Sequence, residues 1–324
     1  MTETHRIDVH HHILPPDYVA ALARMGISAG GGMPFPSWSP EEALGLMDRR
    51  GIQAAVTSIS APGVHFGDQA AARDLARRCN EISARLIADH PTRFGGFAIL
   101  PLPDVDGALR ELEHSLDTLG LDGVVLLASQ SDGRVLGDPL FDELFAELDR
   151  REAVVFVHPT VPKSSETIPI DVPAFAAEFT FDTSRAILNL VWTGAAERFQ
   201  KLRLIFSHAG GTAPFLAWRW ALLDFAPQIH ERAPRGVMHY LKRFHYDTAL
   251  SANPHALRSL GELVDPSHIF FGSDFPFAPE QITQRSIDGL TEYDGFDAAA
   301  RRAIERENAL RLLPKLAQRI AAAV

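Results

Sequence analysis

Short, nearly uninterrupted apolar runs recur along the chain, and each is followed by a stretch in which apolar residues return every three or four positions. The runs are RIDVHHH (6–12), AAVTSIS (54–60), FGGFAIL (94–100), GVVLLA (123–128), AVVFVHP (153–159), LRLIFSHA (202–209), FHYDTAL (244–250) and IFFGSDFP (269–276). Several are apolar at almost every position rather than alternating, which predicts strands buried on both faces. The segments PEEALGLMDRRG, DQAAARDLARRCNEISARLIADH, DVDGALRELEHSLDTLG and PLFDELFAELDRR predict amphipathic helices. Pro or Asp opens them, and the first three close on Gly or His. Eight strands alternating with helices predict a distorted (β/α)8 TIM barrel of the α/β class, as a single domain over residues 1–324. An open doubly wound sheet would need a glycine-rich turn directly after the first strand. His10, His11 and His12 stand there instead, and Gly30, Gly31 and Gly32 come too late.

Two gaps are longer than a barrel connection requires: GISAGGGMPFPSWSP before the second strand and TVPKSSETIPIDVPAFAAEF after the fifth. Both belong to the C-terminal side of the strands, where such barrels build their active sites. They are expected to act as lids.

Composition narrows the partners. With 46% hydrophobic and 22% charged residues the chain is an ordinary globular one. A formal charge of −10 without long basic runs argues against nucleic acid or an anionic membrane as partner. No run of about 18 uncharged apolar residues and no apolar leader segment is present, so the expectation is a soluble, cytoplasmic protein. The single cysteine, Cys79, excludes an intramolecular disulfide and a multi-cysteine zinc site. Its helical context reads as a packed thiol.

The chemistry lies in how the 14 histidines are distributed. His5, His65, His90, His114, His230, His239, His245, His255 and His268 fall at helix ends, loops or strand starts and need no functional account. His10 and His12 end the first strand two positions apart, so both point to one side, while His11 points away and is assigned to structure. His158 ends the fifth strand, His208 the sixth and Asp274 the eighth. Two imidazoles from an HxH pair, a third imidazole and a carboxylate form a shell suited to a borderline divalent ion. His208 is either a fourth imidazole ligand or an acid/base. The second role is preferred, because a catalytic metal keeps a coordination position open. Gly210 and Gly211 beside it would let a ligand approach the backbone closely.

Together IDVHHHILP, FVHP, FSHAGG and GSDFPF, with WSPEEALGLMDRRGI and FHYDTALSANP, resemble the amidohydrolase superfamily. Within it they resemble the aminocarboxymuconate-semialdehyde decarboxylase branch, and most of all its hydroxybenzoate decarboxylases, over residues 6–313. The resemblance implies that His10, His12, His158 and Asp274 hold one divalent metal ion, zinc as first choice and manganese as alternative. It implies that His208 is the catalytic acid/base. It also implies a non-oxidative decarboxylase of a small hydroxy-aromatic carboxylate of salicylate type, with His208 or Asp274 delivering a proton to the ring carbon. A substrate-binding arginine of the aminocarboxymuconate enzymes is replaced here by Ala43, which favours a monocarboxylate. A second family arginine matches Arg219, available for a substrate carboxylate, including one across a subunit interface. Binuclear members use a carboxylated lysine on the fourth strand. None of the four lysines here ends a strand, so the site should be mononuclear. Trp38, Phe66, Phe175, Phe277 and Trp192 are candidate walls for the ring. A homodimer is expected from the family and from the apolar segment PFLAWRWALLDFA. The alternative activity is mononuclear metal-dependent hydrolysis of a lactone, amide or ester. A non-catalytic barrel with vestigial histidines would bind no metal.

Overall fold

A computed structural model describes residues 6–167 and 170–322; His5, Ile168 and Pro169 lie outside them. Eight strands form one parallel sheet in sequential order: β1 (Arg6–His12), β2 (Ile52–Ser58), β3 (Phe94–Ile99), β4 (Gly123–Leu127), β5 (Val154–His158), β6 (Arg203–Phe206), β7 (His245–Asp247) and β8 (Ile269–Phe270). Each pairs with the next, from Arg6 opposite Ile52 to Phe270 opposite Asp247. The cylinder is shut by the segment following β8. Val9 N–H donates to Phe271 O at 3.0 Å, Asp274 N–H to His10 O at 2.8 Å, and His12 N–H to Phe275 O at 2.7 Å. This is the TIM barrel expected.

The eighth strand is much shorter than the predicted run 269–276. Beyond Phe270 the backbone is spent on the seam with β1, and Asp274 takes a left-handed conformation (φ 61°) that ends any regular strand. Conversely β2 starts two residues earlier than predicted, immediately after Gly51 caps the preceding helix at φ 63°. That helix, Pro40–Arg50, is opened by Ser39, whose hydroxyl accepts from Glu42 N–H. Asp68 does the same for Gln69–Asp89 through two backbone N–H groups. Helix Val105–Glu113 widens into a looser turn over His114–Thr118. Strands β1, β3 and β5 are buried at every residue, as near-continuous apolar runs require. Cys79 is buried on the inner face of its helix. Among the described residues no helix is long and apolar enough to cross a membrane.

Both enlarged loops are present and they clasp one another. The first follows helix Pro16–Arg24 and carries a small antiparallel hairpin, Ala29–Gly30 against Met33–Pro34. Phe175 N–H, from the loop after β5, donates to Gly31 O at 3.1 Å. A Cβ on Gly31, which sits at φ 61°, would lie 2.6 Å from Phe179 Cζ, so only glycine lets this ring settle against the hairpin.

Candidate metal centre

The strand ends place five titratable side chains around one point. His10 Nε2 lies 3.0 Å from His12 Nε2, and Asp274 Oδ1 lies 3.2 Å from the first and 3.1 Å from the second. His208 Nε2 is 3.6 Å from Asp274 Oδ2. One ligand atom from each of His10, His158, His208 and Asp274 lies within 4.8 Å of the others. The His158 ring stands 4.8 Å from that of His12. All five residues are buried.

Their outer nitrogens are occupied. His10 Nδ1 meets Asp247 Oδ2 at 2.7 Å, and His158 Nδ1 meets Pro159 O at 2.7 Å. Both partners can only accept, which fixes a proton on Nδ1 and turns Nε2 inward. His12 Nδ1 meets the Ser58 hydroxyl at 2.9 Å. Both ring nitrogens of His208, in contrast, are buried without a hydrogen-bond partner. The floor is apolar: Phe156 lies edge-on to His10 at 4.9 Å and is itself stacked on Phe97. In so poorly polarisable a setting uncompensated charges interact strongly.

Electrostatics shows what the cluster lacks. Burial would drive the proton off His10, yet Asp247 and Asp274 hold it with a pKa raised to about 10. Burial pushes His12 down to about 4 against the pull of Asp274, and pushes His158 well below its ordinary value. For Asp274 burial acts upward, but the charge on His10 and hydrogen bonds from His10 and His12 keep it well below the carboxylate range. A proton gripped between two carboxylates, beside two neutral imidazoles, marks a place that favours positive charge. A divalent ion in place of the His10 Nε2 proton would meet the same demand for positive charge, and the His10 and His12 nitrogens 3.0 Å apart, with the Asp274 carboxylate beside both, are a donor set that fits one.

His208 and Asp274 share a second property. Both adopt left-handed backbone, at φ 54° and 61°, as does Ala209 at 56°. Hydrogen bonds hold these strained residues: His208 N–H to Asp247 Oδ1 at 3.0 Å, and Asp274 N–H to His10 O. His11 turns to the opposite side, as expected. It pairs with Asp8 at 3.0 Å and lies on Phe275 at 5.0 Å. Gly272 is the close-approach point of the seam, since a Cβ there would lie 2.8 Å from His10 Cβ.

The proposed walls divide. Phe277 stands edge-on to His12 at 5.6 Å. Trp38 and Phe66 are half-buried against the core, with the Trp38 indole N–H buried and unpartnered. Phe175 is exposed on the loop after β5. Trp192 is not a wall: it ends helix Glu178–Trp192, under the Arg232 guanidinium, 13 residues beyond Phe179 and hence about 20 Å along the axis. Phe179, which the sequence pattern does not single out, faces His158 at 5.8 Å. Arg219 is exposed on helix Ala213–Ala221, and no ion pair engages it among the described residues. Asp247 was also missed, although FHYDTAL carries it at the end of β7, where the rule that found the other groups would have found it.

The family model described as Amidohydrolase matches residues 7–315. The chain belongs to the amidohydrolase family. Within this family it is 35% identical to a 6-methylsalicylic acid decarboxylase of Penicillium expansum, covering 96% of this chain and 97% of the relative. It is 36% identical to a 6-methylsalicylic acid decarboxylase of Aspergillus aculeatus, covering 96% of each. A crystal structure of a dihydroxybenzoic acid decarboxylase from Polaromonas, with bound manganese and 2-nitroresorcinol, shares the fold. It superposes with a TM-score of 0.82 at 24% identity, over 96% of this chain and 97% of that one. The hydroxybenzoate-decarboxylase look of the sequence thus has its counterpart among the relatives.

Proposed function

We propose that this amidohydrolase is a mononuclear, metal-dependent decarboxylase of a small ortho-hydroxybenzoate such as 6-methylsalicylate. The observation carrying the reading is the convergence of inward-facing imidazole nitrogens on the Asp274 carboxylate, with their outer nitrogens already engaged. His10, His12, His158 and Asp274 would hold one ion, zinc or manganese. When bound, that ion supplies a Lewis acid for the substrate's carboxylate and ortho oxygen.

The chain's own residues do the remainder. Asp274, held ionised by His10 and His12, is poorly placed to give up a proton. His208 has an Nε2 with no hydrogen-bond partner at the same centre, which favours it as the acid. The C–COO⁻ bond breaks as the proton on His208 Nε2 moves to the ring carbon, which keeps the bonding pair. CO2 leaves, and solvent reprotonates His208. Phe277 and Phe179 flank the ring and exclude water. Ala43 is buried in helix Pro40–Arg50 and offers no cation for a second carboxylate. The same reading includes a homodimer through the exposed apolar face of residues 213–225, on which Arg219 lies.

Metal-loaded protein incubated with 6-methylsalicylate, salicylate and a lactone series is expected to release CO2 and the corresponding phenol from the first two and to leave the lactones closed. Lactone opening without CO2 would replace this reading with the hydrolase one.

A further inference from the structure

We infer that Asp247 is a positioning residue that couples the metal ligand His10 to the backbone of the acid His208. The inference rests on the metal reading above, and concerns a residue to which that reading gives no role. The carboxylate is fully buried at the end of β7 and spends its two oxygens on different tasks. Oδ2 accepts from His10 Nδ1 at 2.7 Å. Oδ1 accepts from His208 N–H at 3.0 Å and from Ala249 N–H at 2.9 Å. The first contact sets the His10 tautomer and ring orientation, as an outer carboxylate does for many metal-bound histidines. The second holds the start of the left-handed turn at His208 and Ala209 that turns the acid's ring toward Asp274. One rigid group thus sets the distance between where an ion would sit and where the proton is delivered.

The two oxygens are chemically separable. In Asp247→Asn one amide oxygen can still accept from His208 and Ala249, but an NH2 group replaces the oxygen facing His10 Nδ1. Donor would meet donor, forcing His10 toward the tautomer whose Nε2 carries the proton and cannot ligate. Asp247→Ala removes both contacts.

The test measures zinc affinity by competition with a chromophoric chelator for the whole protein, alongside kcat at saturating zinc. The expected result is one equivalent of tightly held zinc in the wild type and a dissociation constant raised about 10- to 100-fold in Asp247→Asn. At saturating zinc, Asp247→Ala is expected to turn over at least about 10-fold more slowly than Asp247→Asn, because only the alanine variant frees the His208 backbone. Wild-type protein that binds no zinc would sink the metal reading and this inference with it. Zinc affinity in Asp247→Asn within about threefold of a zinc-binding wild type would overturn the inference alone, as would equal turnover of the two variants. The near-isosteric Asn variant keeps the affinity arm decisive should the alanine variant fail to fold.

Discussion

His208 is the residue whose role the geometry leaves most exposed to experiment, because it lies as close to the centre as a ligand yet has both nitrogens free. As an acid rather than a ligand, it predicts a split between two variants. His208→Asn should keep about one equivalent of metal and lose about 10²- to 10⁴-fold in kcat. His158→Asn should lose the metal itself, read by elemental analysis of the purified protein. Loss of metal in both would make His208 a fourth ligand. At this scale much of the centre is legible in the sequence, since a titratable residue that ends an apolar run costs free energy to bury unless something there pairs with it. His10, His12, His158, His208 and Asp274 all obey that rule. Asp247 obeys it too, as a lone aspartate ending a three-residue strand, but nothing local reveals that its partner is 237 positions away. Phe179 and Trp192 are aromatic residues on one helix, and only the helix's placement tells which end reaches the site.

The elements were legible wherever local rules dominate. Gly51 and Asp68 cap their helices where the sequence marks them, and the cap at Ser39 stands one residue before the marked Pro40. Strand ends near the site were misjudged because tertiary hydrogen bonds, rather than propensity, bend the backbone there. At the opposite end of the barrel, the starts of β7 and β8 bring His245 and His268 into a stacked pair, 4.9 Å apart and 16° from parallel. Each donates from Nδ1 to a carbonyl, His245 to Leu204 O and His268 to Phe244 O. Burial, with neighbouring His268 and Arg203, pushes His245 down to about 4. A base whose pKa is depressed on folding binds fewer protons folded than unfolded. Its contribution is therefore constant above about pH 6.5 and turns unfavourable as pH falls toward 4. The full effect is on the order of 3 kcal/mol. Urea midpoints between about pH 7 and 4.5 should fall more steeply for wild type than for His245→Gln. Parallel curves would show that His245 does not titrate on unfolding.

For the molecule as a whole, one face is unlike the rest. Phe215, Trp218 and Phe225 are 83%, 77% and 85% exposed, with Leu222 between them. An apolar strip of that size on one helical segment is what a subunit interface leaves bare in a single protomer. Trp218→Glu is expected to convert a dimer to a monomer in sedimentation velocity without loss of helical content. Wild-type protein sedimenting as a monomer at micromolar concentration would remove the dimer from the reading.

The cylinder is sealed by peptide groups of His10, His12 and Asp274 whose side chains form the candidate centre. An ion lodged there would therefore act as a rivet between the first and last staves. Whatever free energy it releases on binding would also resist the parting of the barrel, by about 2.7 kcal/mol when the free ion stands at a hundred times its dissociation constant. Stripping the ion would then do more than stop the reaction: it would unfasten the one joint that no continuous strand pairing protects.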